Sequence, residues 1–280
     1  MKKLGSMIIT IGLILCSLMS GCSYYYNIDK KFISDGDFKY YYLEGKDCYT
    51  IVGLNEIADK ENLYVPTHYK NKEINYIGYT KTSFTGFYTN YTINAVDIKN
   101  IYLPYTVGDL YGRNDGFYKG YPERAFFVGS EDHLAVAYTL QFSQEKTVGY
   151  VTEKIFKYLE KDFNEERNQK EYIGDYISSF YFSTNSKITM RIANTSYMFN
   201  YEGAVNEGYF FINDFERGEK IEDTPYEPTR EGYTFGGWYK EPECKNAWDF
   251  GADTLPEAEY DGEGVLIFRE TQLYAKWIKN

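Results

Sequence analysis

Histidine is almost missing from this chain: His68 and His133 are the only two in 280 residues. Neither sits in an H-E-x-x-H or other metal-binding spacing. The sequence also lacks a G-x-S-x-G elbow, a Walker loop and a Rossmann glycine pattern. Cysteine is scarce as well. Of four, Cys16 lies in an apolar leader and Cys22 ends it, so Cys48 and Cys244 alone remain in the body. They fall in different candidate domains, so a disulfide framework is not expected and two unpaired, partly buried thiols are. Basic charge is in deficit, with 30 Lys and Arg against 41 Asp and Glu and a net charge of −11. That argues against a nucleic-acid partner, which needs a basic footprint. The ordinary meaning of such acidity is solubility, and no D-x-[DN]-x-[DN]-G spacing turns it into a calcium site. Carboxylate pairs such as Glu165-Glu166 read as solvated helix surface, and 41 acids bring some pair together in any fold. The expectation is no enzyme, no metal and no cofactor.

Long hydrophobic runs are absent except at the start. Met1-Lys2-Lys3 is positive, and Leu4 to Met19 is apolar apart from small and hydroxyl residues. At about 16 residues this run is shorter than the roughly 20 that span a membrane. Small residues, Ser20 and Gly21, precede Cys22, as a signal peptidase requires. Leu18-Met19-Ser20-Gly21-Cys22 resembles the lipobox of bacterial lipoproteins, with Met19 where the family usually has Leu. The resemblance implies that residues 1–21 are a signal peptide. It implies too that Cys22 becomes the N-terminus and carries a thioether-linked diacylglycerol, the chain's partner being the membrane. Two acyl chains, at ~0.8 kcal/mol per buried methylene, would hold the protein stably on the extracellular face of the cell membrane. Loss of Lys2 and Lys3 with the leader leaves 28 basic residues against 41 acidic, a net charge of −13.

What the sequence has in abundance is tyrosine. There are 32 Tyr and 19 Phe, and aromatic residues make up 19% of the chain. Tyr favours strands and half-buried surfaces. With 24 Gly and short apolar stretches, this predicts a mainly β fold with some α. Residues 22–37 read as a tether, Tyr-rich at Tyr24 to Tyr26. Lys39 to Leu43 and Cys48 to Val52 flank Glu44-Gly45-Lys46-Asp47 as a β-hairpin. Asn62-Leu63-Tyr64-Val65-Pro66 then recurs as Asn100-Ile101-Tyr102-Leu103-Pro104, a short apolar strand closed by Pro66 or Pro104. Because Pro donates no ladder hydrogen bond, each reads as an edge-limited unit. Apolar clusters follow, Ile74 to Gly78 leading to Phe84 and Val107 to Leu110 leading to Phe117. Ala125 to Val128 is a third, weaker strand.

Strand-Pro, then Leu63 to Gly78, then Phe84, resembles the BspA-type leucine-rich repeats of bacterial surface proteins, with Asn71 in place of a usual Gly. Over residues 38–145 the resemblance implies a short β-solenoid with Val65, Ile77, Phe84, Leu103, Leu110 and Phe117 in its core. Such a stack needs about three units to hold itself, so capping by the hairpin and a following helix is expected. Within residues 146–196, Val151, Ile155, Leu159 and Phe163 recur every four positions and predict a helix over 150–172. Its apolar stripe would dock on the solenoid end, and Glu153 and Lys157 are correctly ordered for an i,i+4 pair. Tyr176 to Ile192 reads as strand.

Residues 197–280 carry the sharpest motif. Pro228, Arg230, Gly232, Tyr233, Phe235, Gly237, Trp238, Tyr239, Trp248 and Phe250 are followed, after an acidic insert from Asp253 to Phe268, by Leu273, Tyr274, Ala275 and Trp277. This series closely resembles the Listeria–Bacteroides repeat, the β-grasp-like B-repeat of internalins and many surface proteins. All three Trp of the chain are here, and the residues read as core rather than as a glycan-stacking platform. Gly236-Gly237 would let the backbone bend beside the Trp238 indole. The insert is longer than the family's usual spacer and puts the local register in question. Both resemblances imply display and binding scaffolds. The expected function is a non-catalytic extracellular adhesion module for a protein or glycan, with surplus tyrosines as its exposed contact surface. The alternatives are an envelope polysaccharide-binding component, a secreted hydrolase, or a purely architectural spacer.

Overall fold

The computed structural model describes residues 31–82, 88–94, 96–110, 117–118, 122–129, 147–162, 169–174, 177–183 and 186–280. The leader with Cys22, and Phe84, His133, Phe163 and Glu165-Glu166, lie outside the described residues, as do the side chains of Leu110 and Phe117. The described chain is mainly β, with a single α-helix among the described residues.

The N-terminal hairpin forms as its turn residues direct. After β1 (Ile33–Asp35), β2 (Phe38–Leu43) and β3 (Cys48–Leu54) pair antiparallel, Leu43 opposite Cys48. The left-handed residue of the turn is Asp47, at φ +52°, rather than Gly45. Next come β4 (Asn62–Tyr64), β5 (His68–Tyr69) and β6 (Lys72–Ile77). Lys70 and Asn71 make the β5–β6 turn at φ +48° and +62°. Asn tolerates this region better than other residues with a Cβ, which is why Asn71 can stand where the repeat pattern has Gly. The hairpin of β7 (Tyr79–Thr82) and β8 (Tyr88–Tyr91) and the short β9 (Ile93–Asn94) follow.

The repeat then shows in the register. β10 (Asn100–Pro104) lies parallel to β4, with Asn100 beside Asn62, Ile101 beside Leu63 and Tyr102 beside Tyr64. Residues 38 apart in sequence thus become neighbours, and the Asn100 Nδ2 donates to Asn62 Oδ1 at 2.9 Å. The second strands of the two units also align: β11 (Asp109–Leu110) lies parallel to β6, and β12 (Phe117–Tyr118) parallel to β9. β13 (Arg124–Val128) adds the expected third strand, parallel to β10.

Expectations for β10, for both ends of the helix and for the strand after it are corrected here. β10 is not an edge strand: β4 and β13 flank it, and Pro104 is its last residue, where the missing N–H interrupts little. Val151 is not helical. It ends β14 (Val148–Val151), a fourth parallel strand beside β13, and among the described residues the helix α1 covers Glu153–Asp162. Residues 169–172, expected to be helical, belong to β15 (Gln169–Gly174). The single strand expected over Tyr176 to Ile192 is, among its described residues, two antiparallel strands, β16 (Ile177–Ser183) and β17 (Ser186–Ile192), with β17 completing the parallel run beside β14. Gly149 keeps the centre of β14 free of a side chain: a Cβ there would press on the Met190 thioether of β17 and, at 3.1 Å, on the Phe127 ring, so any larger residue requires the buried Met190 side chain to shift.

The seven-stranded sheet β15-β16-β17-β14-β13-β10-β4 is buried on both faces over its parallel part. Alternation decides which side each residue serves. Leu63, Ile101, Leu103, Ala125 and Phe127 join Ile51, Ile74 and Ile77 of β3 and β6 in one core. Val65, Ile77 and Leu103 are buried there, as expected of them. Ile155, Phe156 and Leu159 of α1 dock on the same core, and Lys157 pairs with Glu153 at 2.6 Å. The opposite face carries Tyr64, Tyr102, Phe126 and Tyr150 and meets the C-terminal part.

That part is a four-stranded mixed sheet. β18 (Thr195–Met198) pairs with β19 (Tyr209–Asn213) antiparallel and with the last strand, β23 (Thr271–Lys279), in parallel. β20 (Tyr233–Tyr239) pairs antiparallel with β23 on its other side. The insert forms its own hairpin of β21 (Glu259–Tyr260) and β22 (Leu266–Ile267) and leaves the β20–β23 pairing in place. The one shift in that register falls between Phe235 and Trp238, at Gly236 and Gly237 (φ +98°), where the bend was expected.

Candidate functional site

The site grows out of an aromatic stack. Tyr64, Tyr102, Phe126 and Tyr150 occupy equivalent positions on four adjacent parallel strands. Strands lie ≈4.7–4.9 Å apart, so their rings fall into contact by geometry alone. The ring centroids are 4.7, 4.6 and 4.7 Å apart, with interplanar angles of 9°, 14° and 21°. At one end the Arg124 guanidinium lies 4.6 Å from the Tyr150 ring centroid and 4.9 Å from that of Phe126. Phe211 of β19 covers Tyr102 at 4.7 Å.

Polar contacts lock the C-terminal sheet onto this stack. Asn213 Nδ2 donates to the Tyr102 hydroxyl at 3.2 Å, and Arg124 Nη2 donates to the Asp214 carbonyl at 2.6 Å. The Asp214 carboxylate lies 3.5 Å from Arg191 Nε and 4.0 Å from Arg124 Nη2. Burial pushes its pKa up, against the pull of the two guanidiniums. Burial also pushes the Tyr102 and Tyr197 hydroxyls well above the usual tyrosine range, and that of Tyr64 up to about 12.

Beside this lock the two parts separate into a cleft of about 350 Å³. Its floor runs across the carboxyl ends of three parallel strands, at Val65 and Thr67 after β4, Pro104 at the end of β10 with Tyr105 after it, and Val128 at the end of β13. Its far wall is Phe199, Tyr201, Val205 and Phe210 of the C-terminal part, closed by Tyr226, Glu227 and Thr229. Tyr226 stands edge-on to Tyr64 at 6.2 Å and to Phe210 at 5.1 Å, and keeps 47% of its surface open. His68 also lines the cleft, and its Nδ1 lies 3.1 Å from Thr67 Oγ1.

The residues singled out in the sequence serve the frame around this cleft. Trp238 is buried and packs edge-on against Tyr197 at 4.9 Å and Phe235 at 5.1 Å. Trp248 and Trp277 are only half-buried, though both pack on the same core with Phe250. Trp277 Nε1 donates to the Phe199 carbonyl at 2.5 Å. Leu273 is fully buried, while Tyr274 is half-buried and its hydroxyl donates to Gln272 Oε1 at 2.7 Å. Gly232 adopts φ +76° at the turn into β20, and the Arg230 guanidinium lies 3.9 Å from the Tyr233 ring centroid. Pro66 follows β4, and Phe117 begins β12. Leu255 of the insert is buried, and its N–H donates to the Glu219 carbonyl.

Cys48 and Cys244 are free thiols, Cys48 buried and Cys244 half-buried. Burial raises both pKa values, so neither is an activated nucleophile. Among the described residues no group of three His, Cys, Asp or Glu side chains is placed to hold a metal ion. The tyrosine surplus is not the exposed surface expected of it. Of the described tyrosines whose burial is defined, only Tyr158, Tyr226 and Tyr260 are strongly exposed; stacking along the parallel strands draws Tyr64, Tyr102 and Tyr150 inward, and Tyr40 stacks on Tyr69 in the same way within the N-terminal core.

Sequence reasoning missed the cleft, whose walls come from segments as far apart as Tyr64 and Thr229. The available signal was the recurrence of Tyr64 as Tyr102 at matching positions of the repeat, which placed two rings on one face.

No curated protein matches the chain. Residues 197–261 match the family model of the Listeria-Bacteroides repeat domain, a match that opens on Tyr197 of the central strand β18 and closes in the insert hairpin, ahead of β23.

Proposed function

We propose that this chain is a lipid-anchored surface protein of a bacterium, held at the extracellular face of the membrane through Cys22, and that its body is a non-catalytic binding module. The observation that carries the reading is the repeat-domain match over residues 197–261, since this repeat is surface-associated and often involved in binding. The lipobox-like Leu18 to Cys22 supplies the anchor. Among the described residues no helix is long and apolar enough to cross the membrane, so attachment in this reading rests on acyl chains. The parallel register of β4, β10 and β13 supports a short leucine-rich-repeat-like solenoid, which the β-grasp-like C-terminal module caps along one face. Nucleic acid is no partner for so acidic a body.

Two results test this. Cys22→Ser in the full-length chain should abolish incorporation of labelled palmitate and release the protein from the membrane fraction. Retention of label would overturn the anchor. The full-length protein in detergent should bind at least one member of an array of extracellular proteins and envelope glycans, without turning it over. Hydrolysis of any of them would overturn the non-catalytic reading.

A further inference from the structure

We infer that the cleft between the parallel sheet and the C-terminal sheet is a binding site for a neutral oligosaccharide, a proposal that rests on the binding-module reading and gives it a ligand. Three features point there. The first is chemistry. A pyranose has an apolar C–H face and a rim of hydroxyls, and it calls for flat rings bordered by neutral donors and acceptors. Tyr64, Tyr226 and Phe210 supply rings at right angles or nearly so, forming a corner. Thr67, His68 and Thr229 place polar groups at the border. The second is size. A cleft of about 350 Å³ lies at the small-ligand end of the range for concave sites. A stable protein partner covers ~800 Å² of each surface, which this cleft does not offer.

The third is charge. Glu227 is the sole carboxylate in the lining, and the nearby Arg230 already lies 4.3 Å from the Tyr201 ring centroid, so that aromatic face is taken by a cation of the chain itself. Neither a cationic nor an anionic ligand finds a matched set of counter-charges. The open surface of Tyr226 is the platform a sugar ring would cover, and Val205, 46% exposed, stands on the opposite wall.

Calorimetric titration of the full-length protein with cellotriose, maltotriose and chitotriose tests the assignment. At least one should bind. Tyr226→Ala removes the platform and Val205→Trp fills the space, and each should weaken binding about tenfold or more while the melting temperature stays near that of the parent. If no trisaccharide binds, or if both variants bind as the parent does, the assignment is overturned. Competition in this cleft by linear peptides, with no sugar bound, would overturn it in favour of a peptide ligand. Array ligands that bind and are unaffected by either variant would leave the wider reading standing and sink this one. Cleavage of a bound trisaccharide would keep the site and overturn the non-catalytic reading.

Discussion

Above pH 10 the protein should unfold in one cooperative step, with its buried tyrosines ionising only as it does so. Tyr40, Tyr102 and Tyr197 are held well above the usual tyrosine range, and Tyr64 and Tyr209 are raised to about 12, in each case chiefly by burial. An unfolded tyrosine titrates near 10. A raised folded pKa means that the neutral phenol is favoured in the fold. The stability this contributes is fully present below pH 10 and is lost as pH climbs through the folded value. Each such group contributes a slope of up to about 1.4 kcal/mol per pH unit. A typical stability of ~5–15 kcal/mol would be exhausted within about two pH units by several groups acting together. Exposed tyrosines ionise in the folded chain, and the remaining phenolate absorbance should appear together with the loss of the far-ultraviolet dichroism signal. Phenolate absorbance that reaches its full unfolded value with the β signal still intact would contradict the burial described here.

Phe126→Ala should cost about 3–5 kcal/mol, the range for deleting a fully buried phenyl ring. Phe126 has no exposed surface and lies between Tyr102 and Tyr150 at 4.6 and 4.7 Å. Its removal leaves a hole in the middle of the stack, with fixed strands on either side that cannot close it. Because the stack is also the floor on which Phe211 and Tyr197 pack, the loss should reach the C-terminal sheet. The three Trp report that part alone, and far-ultraviolet dichroism reports the whole chain. Denaturant midpoints from the two probes should fall by the same amount. A fall in the dichroism midpoint with the Trp midpoint unmoved would show that the sheets are not one cooperative unit.

Local rules made much of this legible. The β2–β3 hairpin followed from its turn, and the Asn62/Asn100 repeat anticipated the register of β4 against β10 to the residue. Where periodicity failed, the reason was physical. Val151 fell in phase with Ile155 and Leu159 by accident, although a strand of four residues containing Gly149 offers too short a pattern to recognise. Its identity as a strand is set by tertiary contacts, namely the parallel pairing with β13 and the close passage of Met190. The motif glycines gave the bend at Trp238, but motif spacing did not say how deeply each Trp would lie. The cleft was beyond reach for a stronger reason. It exists only because two sheets, each with a clear pattern, meet along one face and diverge at Tyr226.

The account stands on the claim that the aromatic surplus is spent on the interior of a β scaffold, with the small aromatic cleft between the two sheets as the place where a ligand fits. Nitration of native protein with tetranitromethane, mapped residue by residue by mass spectrometry, tests this most directly. Tyr158 and Tyr260 should react first, and Tyr40, Tyr102, Tyr150 and Tyr197 should stay unmodified until the chain is denatured. Nitration of Tyr102 and Tyr197 in the folded protein at the rate of Tyr260 would contradict the account.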